Sequence, residues 1–352
     1  MRRLIAILAI LAVMPSFHGG TAKNKVTFVA VGDNLIHTSI YKGASVGAGF
    51  DFSPVYAGVA DIIAASDVAF VNQETMLGTG GYSGYPRFCS PVEVGAALVG
   101  AGFDVINIAN NHSLDQGEAG FLFTQGYLSQ TAECVIGDGG VKTVRRGDVV
   151  IAFLSYTYAT NCGTSMCVSR FDENRVRRDM KLAKEIADAV VVSMHWGNEY
   201  DTGRYIERFE PTEKQKEQAR LLASLGADVI IGTHPHVILP CEWIEAGERR
   251  TFCAYSLGNF VSNMRYGAQQ LGGILTLDFV RDSGGVHVEN PKIIPTVCHY
   301  DKDHRGHTVY LLSEYTDELA RSHGTQNEKN ERAFDKDMLN DLFYQNIGEL
   351  FR

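Results

Sequence analysis

Short runs of apolar and β-branched residues recur along the chain, and helical patterns separate several of them. Runs of this length, bounded by polar or turn residues, are typical of buried strands. The predicted strands are residues 26–31, 68–71, 105–108, 149–155, 189–193, 229–231, 252–256 and 274–280, and the predicted helices are residues 91–101, 119–129, 175–186 and 212–224. Strands that alternate with helices predict an α/β protein built on a sheet.

The stretch ADVIIGTHPHVILP, residues 227–240, places two histidines directly after a predicted strand. Pro235 fixes its own φ near about −65° and keeps His234 out of helical geometry, so we expect a stiff, extended loop. Such a loop suits a fixed pair of metal ligands from His234 and His236. Two histidines alone more often belong to a plain solvated loop, so the interpretation depends on the residue types at the ends of the other strands.

Polar side chains of the same kind come after other predicted strands. They are Asp33 after the first strand, Glu74 after the second, Asn110, Asn111 and His112 after the third, and His195 after the fifth. A single Asp there commonly caps a helix, and a single Asn commonly makes a turn. Because carboxyl ends of neighbouring strands converge on one crevice in an open α/β sheet, five strands that end this way predict a shared site.

The residue types of this site indicate its chemistry. Carboxylate, amide and imidazole ligands without thiolate suit Mn, Fe or Zn, and such mixed sets can hold two ions side by side. Paired ions activate water and neutralise the attacking and leaving oxygens of a phosphoryl group, which favours phosphoester hydrolysis. A serine nucleophile is less favoured, since the one Gly-x-Ser-x-Gly match, residues 43–47, does not directly follow a predicted strand as a nucleophile elbow does.

The composition excludes some partners. The chain has 352 residues, of which 45% are hydrophobic and 21% charged, as in globular proteins of one large or two smaller domains. Its formal net charge is −9 and no long basic tract interrupts it, so we expect no nucleic acid partner. The seven cysteines form no CxxC motif, and Cys162 with Cys167 is the one pair close enough in sequence to suggest a disulfide.

The N-terminus has the pattern of an export signal. Arg2 and Arg3 precede an apolar run over residues 4–14, and small residues lead up to Ala22. We expect residues 1–22 to be a signal peptide cleaved before Lys23, with retention as an uncleaved membrane anchor as the alternative. Both interpretations predict an extracytoplasmic protein.

Longer blocks of the sequence resemble a known family. They are VGDNLIH, FVNQET, YPRFCSPVEVGAALVGAGFDVINIANNHSLDQGEAGF, VVVSMHWGNEY, PTEKQKEQARLLASLGADVIIGTHPHV and AYSLGNFV. The family is that of the CapA capsule-biosynthesis proteins, implicated in making poly-γ-glutamate and related to the calcineurin-like metallophosphoesterases. The resemblance implies a four-layer α/β/β/α sandwich. We expect it over residues 23–300, and the polar, helical pattern at residues 301–352 predicts a C-terminal helical extension.

Residue by residue, the resemblance implies a site for two divalent metal ions. Its ligand candidates are Asp33, Glu74, Asn111, His195, His234 and His236. His112 is the implied proton donor to the leaving group, and Asp115 is expected to orient its imidazole. The residues expected to contact substrate are His37, Arg87, Glu199 and Asn259.

Two positions depart from the superfamily pattern. Leu35 stands where the opening Asp-x-His motif has its histidine, so either His37 replaces that ligand or the first metal site is weaker. The acidic partner of the histidine usually comes directly after it, whereas here Ser113 stands after His112 and Asp115 comes three residues later.

Two functions from different classes fit these features. The first is a metal-dependent hydrolase that acts on a phosphoester or amide bond of an envelope polymer, or on a small phosphoester. The second is a non-catalytic component of poly-γ-glutamate synthesis or export, which binds the polymer in the same crevice beside membrane-bound synthesis machinery. The retained ligand types favour the hydrolase, and Leu35 favours the binding protein.

Overall fold

The structure is a computed structural model, and it describes residues 25–199, 208–328 and 332–352. The export signal predicted at residues 1–22 lies outside this part of the chain. Across the described ranges, no helix combines the length and the apolar character that crossing a membrane requires.

The described residues form strands and helices in alternation over most of their length. The strands are β1 (Lys25–Asn34), β2 (Ser45–Val46), β3 (Gly49–Phe50), β4 (Val68–Gln73), β5 (Leu77–Gly78), β6 (Ser90–Pro91), β7 (Val105–Asn107), β8 (Cys134–Ile136), β9 (Lys142–Arg146), β10 (Val149–Thr157), β11 (Ala189–His195), β12 (Val229–Thr233), β13 (Cys241–Ala246), β14 (Arg249–Ala254), β15 (Asn259–Val261), β16 (Leu271–Asp282), β17 (Gly285–His299) and β18 (Thr308–Leu311). The α-helices are α1 (Thr38–Gly43), α2 (Ser53–Tyr56), α3 (Ala60–Ala64), α4 (Glu93–Gly100), α5 (Gly117–Leu128), α6 (Glu173–Ile186), α7 (Glu213–Leu225), α8 (Asp317–Ser322) and α9 (Lys336–Asn346).

Most strands belong to two mixed sheets. The first has the order β18-β17-β16-β1-β4-β7-β8, with β15 paired to β1, and the second has the order β13-β14-β12-β11-β10-β9. Strands β1, β4, β7 and β8 run parallel in the first sheet, as do β10, β11, β12 and β14 in the second. Antiparallel strands complete both sheets at their margins.

The two sheets pack face to face with helices outside. Phe28 of β1 and Phe153 of β10 meet between them, with ring centroids 6.2 Å apart. Val26 and Phe28 face this core, whereas Val29 and Val31 face the layer of α1 to α5, as the side-chain period of two in a strand requires. Helices α6 and α7 pack on the second sheet. The predicted four-layer α/β/β/α sandwich is therefore confirmed.

An aspartate stands directly before four of the parallel strands and links each to its neighbour. These residues are Asp67, Asp104, Asp188 and Asp228, and their carboxylates accept the backbone N–H of Thr27, Ala69, Val150 and Val190 over 2.8–3.0 Å. The bonds fix the stagger of adjacent parallel strands at their amino ends. The carboxyl ends, which carry the predicted site residues, are thereby held at matching heights.

The segment after residue 300 contains β18 as well as α8 and α9. Strand β18 extends the first sheet by pairing with β17. Met338 and Leu342 of α9 pack into the core that the two sheets share. Residues 301–352 are thus joined to the sandwich by a sheet contact and by apolar packing.

The cysteines are present as free thiols in this structure. Cys162 and Cys167 are partly buried and are not bonded to each other. Cys253 is fully buried.

Candidate metal centre

Five strands, three from the first sheet and two from the second, bring their carboxyl ends together. Asp33 lies near the end of β1, Glu74 comes after β4, Asn111 and His112 come after β7, His195 ends β11, and His234 and His236 come after β12. Each of these side chains belongs to a residue that is at most 4% exposed. The crevice lies between the two sheets, whereas strand-end reasoning alone placed it at the edge of a single sheet.

Glu74 gives the clearest sign of a cation site. Its residue is fully buried, and neither carboxylate oxygen has a hydrogen-bond partner among the described residues. Oε1 lies 3.6 Å from His195 Nε2 and 3.7 Å from His236 Nε2. Ligand atoms about 2.0–2.2 Å from one ion lie about 3–4 Å from each other, so these distances suit shared coordination. Burial and then the Asp33 carboxylate raise the pKa of Glu74, a penalty that a cation removes.

His236 presents one ring nitrogen to Glu74 and the other to Asn259. Nδ1 donates to Asn259 Oδ1 over 2.9 Å, and the Asn259 amide nitrogen donates to the Gln269 carbonyl, which fixes its orientation. Nε2 is then the nitrogen that a metal would bind, and the ion would displace the proton held there. Burial lowers the pKa of His236, but Glu74 and Asp33 outweigh it and raise the pKa to about 10. Asn259, expected to contact substrate, is fully buried and positions this ligand instead.

His195 lies between polar groups from both sheets. Its Nε2 is 2.9 Å from Asn111 Oδ1, and its Nδ1 is 2.9 Å from Thr233 Oγ1. Burial, and then the neighbouring histidines His234 and His236, lower the pKa of His195 well below its ordinary value. The imidazole is therefore neutral, which is the form that binds metal ions.

The loop after β12 differs from the extended segment that the sequence predicted. His234 has a φ of 97° and His236 a φ of 57°, both in the left-handed region. This turn brings the backbone N–H of His234 to 3.1 Å from Asp33 Oδ2, a contact that an extended loop would not make. Left-handed backbone at residues other than glycine is unfavourable and clusters at functional sites.

His234 itself has a free ring nitrogen. Its Nδ1 is buried and has no hydrogen-bond partner within the described residues. Burial lowers its pKa to about 3, so this imidazole is also neutral. His234, His236 and Glu74 offer ligand atoms that all lie within 4.8 Å of one another.

Asp33 is oriented by a chain of polar side chains that the sequence analysis did not single out. Its Oδ1 accepts from Asn72 Nδ2 over 2.7 Å, and Asn72 Oδ1 accepts from Asn107 Nδ2 over 2.8 Å. Ser155 Oγ donates to Asn107 and extends the chain into the second sheet. The available signal was a polar residue inside an apolar strand, in FVNQ and in VIN.

His112 and Asp115 form a hydrogen-bonded pair, as the sequence predicted. His112 Nδ1 donates to Asp115 Oδ2 over 2.7 Å. The same oxygen accepts the backbone N–H of Phe88 over 2.7 Å, and the Phe88 ring meets the imidazole edge to face with centroids 4.7 Å apart. One carboxylate and one ring thus fix the orientation of His112, and its Nε2 is left for a reacting group.

The other three residues expected to contact substrate lie around this crevice. His37 packs against Phe88, and its Nδ1 is 3.1 Å from the Leu35 carbonyl and 3.2 Å from the Asn263 nitrogen. Arg87 is exposed on the loop that carries Phe88. Glu199 is exposed beyond β11, and its charge raises the pKa of Tyr158.

His37, the possible replacement for the ligand missing at Leu35, lies outside the tightest group of ligand atoms, as Asp33 and His195 do, so its role stays a prediction. Among the described residues, the group of closely spaced ligand atoms consists of Glu74, His234 and His236. Leu35 is buried. The position that the superfamily pattern gives to a histidine is therefore apolar here.

Tyr158 is a further member of the crevice that the sequence analysis missed. Its ring lies over His234 with centroids 4.7 Å apart, and over His195 at 6.4 Å. Burial and then the charges of Glu199 and Glu74 raise its pKa to about 12. The sequence offered no signal for it, since Tyr158 comes after β10, a strand whose end carries no other ligand type.

The residues present fit a divalent metal ion. Two buried carboxylates, one amide oxygen and three imidazoles converge without thiolate, which is the donor set that suits Mn, Fe or Zn. The unpartnered Glu74 carboxylate and the unpartnered His234 Nδ1 are orphaned polar atoms that such an ion would satisfy. The structure therefore supports a metal centre at this point of the fold.

Comparison with known proteins identifies relatives of this chain. The chain is 33% identical over 174 residues to the PGA biosynthesis protein CapA of Bacillus subtilis (strain 168), an alignment that covers 45% of this chain and 42% of that protein. It is 32% identical over 182 residues to the capsule biosynthesis protein CapA of Bacillus anthracis, covering 47% and 41%. The chain thus spans less than half the length of these two relatives.

Among solved structures, the calcineurin-like phosphoesterase YfkN from Bacillus subtilis matches with a TM-score of 0.42 and 12% identity, over 92% of this chain and 96% of that one. A family model described as bacterial capsule synthesis protein PGA_cap matches residues 27–264, which is more than half of the chain and includes the whole metal centre. The chain belongs to the family of bacterial capsule synthesis proteins, PGA_cap.

Proposed function

We propose that the protein is a metal-dependent hydrolase of phosphoester bonds. The observation that carries this proposal is the buried, unpartnered Glu74 carboxylate, with His195 Nε2 and His236 Nε2 at 3.6 and 3.7 Å. A carboxylate in that state is unfavourable without a cation, and a protein that retains it gains from binding one.

We propose two divalent ions, held by the six ligand candidates. These are Asp33, Glu74, Asn111, His195, His234 and His236. When bound, such ions polarise a phosphoryl oxygen and make water a stronger nucleophile. Asn259 and the Asn72 chain hold the ligands in place, because they fix the orientation of His236 and Asp33.

The protein supplies the leaving-group proton from His112. Asp115 accepts the Nδ1 proton and so directs the Nε2 position toward the crevice. General acid catalysis of this kind contributes about 10²–10⁴-fold to a rate. His37, Arg87 and Glu199 are proposed to contact the substrate from the rim of the crevice.

The substrate that we propose is an envelope polymer or a small phosphoester, met outside the cytoplasmic membrane. The N-terminal export pattern supports this location, and the names of the two CapA relatives, which state PGA biosynthesis and capsule biosynthesis, support the polymer. On the same grounds, membrane-bound polymer synthesis machinery is a proposed partner, and poly-γ-glutamate is the proposed polymer.

One observation favours a second function. Leu35 removes a ligand from the superfamily pattern, and a site with fewer ligands binds metal more weakly. In this alternative the crevice binds the polymer without turnover, as a component of its synthesis or export.

Hydrolysis of a bis-aryl phosphodiester separates the two functions. We expect purified protein to cleave it with Mn, Fe or Zn supplied and to stop on chelation. Glu74→Gln keeps the shape of the side chain but removes its charge, and should lower the rate by more than about 100-fold.

The matched control is Glu185→Gln, which changes an exposed glutamate on α6 and should leave the rate unchanged. Absence of cleavage with every metal would assign the crevice to the binding function. Full activity in Glu74→Gln would show that the metal centre is not the source of the activity.

A further inference from the structure

A second cavity close to the metal centre is lined by arginines. It has a volume of about 450 Å³, and Arg170, Arg175 and Arg178 border it. No carboxylate in the described ranges lies within 4.0 Å of these guanidinium groups, whereas the adjacent Arg177, outside the cavity, pairs with Glu173. The three arginine charges repel each other and outnumber the single carboxylate of the lining, so the cavity favours an anion.

The one acidic residue in the cavity lining offsets only part of the arginine charge. Asp172 is the N-cap of α6, and its Oδ1 accepts the backbone N–H of Arg175 over 2.9 Å. The cavity also lies at the N-terminal end of this helix, which adds backbone partial positive charge. Met166 and Val168 give another part of the lining an apolar surface.

The sheet pairing fixes the distance between this cavity and the metal centre. Arg170 bridges to Thr157, and Thr157 pairs with His195 on the next strand. Adjacent strands are about 4.8 Å apart, so the backbones of Arg170 and His195 are separated by about 10 Å. One extended substrate can span that distance.

The segment that carries the cavity also touches the acid pair. The backbone N–H of Asn161 donates to the Asn111 carbonyl over 2.7 Å, and the Cys162 thiol lies 3.8 Å from Asp115 Oδ1. Residues 157–170 therefore reach from the metal centre and the acid pair to the cavity along one stretch of chain.

We propose that the arginine cavity binds a second oxyanion of the substrate, a carboxylate or phosphate group remote from the bond that is cleaved. Guanidinium groups recognise such oxyanions through paired charge-assisted hydrogen bonds. Met166 and Val168 contact the aliphatic part that carries the anion. The assignment to substrate rests on the proposed hydrolase function, whereas anion binding by the cavity does not.

Calorimetric titration of the full chain tests the binding. The probes are inorganic triphosphate and citrate, which separate a preference for phosphate from one for carboxylate. We expect Arg175→Gln with Arg178→Gln to weaken binding of the preferred probe by about tenfold or more per arginine. The matched control, Arg177→Gln on the same helix, should bind as the unaltered chain does.

A second variant distinguishes anion binding in the arginine cavity from anion binding at the metal centre. In a chain with His234→Ala and His236→Ala, the anion should bind with unchanged affinity if it occupies the arginine cavity. Loss of binding in that background, equal weakening by Arg177→Gln, or no binding of either probe would overturn the proposal.

The substrate role needs a kinetic comparison of two phosphodiesters, one with a distal carboxylate and one without. The arginine variants should raise KM at least about tenfold for the first, with kcat unchanged, and leave the second unaffected. Equal effects on both overturn the assignment to substrate. If no diester is cleaved but the arginines still bind the probe, the hydrolase function fails and the anion site stands.

Discussion

At the scale of single residues, the orientation of His112 determines its chemistry. The Asp115 carboxylate accepts the Nδ1 proton over 2.7 Å, and Phe88 packs on the ring at 4.7 Å. Asn111, the adjacent residue, points its Oδ1 to His195. Neighbouring side chains thus serve different partners, one among the proposed metal ligands and one at the acid position.

His112→Ala should therefore keep its metal and lose activity. We expect a loss of about 10²–10⁴-fold on an alkyl phosphodiester, whose leaving group needs a proton. The loss on an aryl ester should be much smaller, because a phenolate of low pKa leaves without one. Steady-state rates on both esters and metal analysis of the variant check this.

Two results would contradict the acid role. The first is loss of metal from His112→Ala, and the second is an equal loss of rate on both esters.

The chemical type of the site residues was predictable, but their partners were not. Asp33, Glu74 and His195 stand out because a polar residue that ends an apolar strand is visible in sequence. In the sequence, nothing distinguishes Asn259 from a residue that contacts substrate. In the structure it is buried and hydrogen-bonded to His236. Whether Tyr158 reaches the crevice depends on how far β10 extends past its neighbour. Only the folded sheet determines that.

At the scale of elements, the buried parallel strands and the longer helices were predictable from pattern. Thr212 caps α7 and Gly226, with a φ of 95°, ends it, where the sequence predicted a helix at residues 212–224. Strand β17 was missed because polar and proline residues interrupt its apolar pattern. Its pairing with β16 and β18 comes from tertiary structure.

Asp228, the aspartate before β12, makes a pH-dependent contribution to stability. Burial raises the pKa of Asp228 from 3.8 to about 6, although its bond from Val190 and the charge of Arg249 oppose this. The folded chain therefore holds this proton more tightly than the unfolded chain. The resulting stabilisation is complete below about pH 4 and is lost as the pH rises through about 6.

Asp228→Asn removes this titration and keeps an oxygen for the Val190 N–H. Between pH 4 and pH 7, the free energy of unfolding of the variant should gain up to about 3 kcal/mol relative to the unaltered chain. Urea unfolding of both proteins across this range measures the difference. Asp61→Asn, at an exposed position, controls for loss of a surface charge. A difference that stays constant with pH would contradict the account.

At the scale of the whole molecule, the candidate metal centre can form only when the two sheets are packed together. The first sheet supplies Asp33, Glu74 and Asn111, and the second supplies His195, His234 and His236. The sequence predicted that the site residues converge, but not that they are divided between two sheets. An apolar run in the sequence does not show which sheet its strand joins. The division also explains why Ser155, on the second sheet, donates a hydrogen bond to Asn107 on the first sheet.

Metal content measures the central claim most directly. Elemental analysis should find a divalent transition metal in the purified chain, and His234→Ala with His236→Ala should remove it while the circular dichroism spectrum stays that of a folded protein. His287→Ala, a partly exposed histidine on β17, should retain the metal as the matched control. An unchanged metal stoichiometry in the double variant would contradict the assignment of the centre.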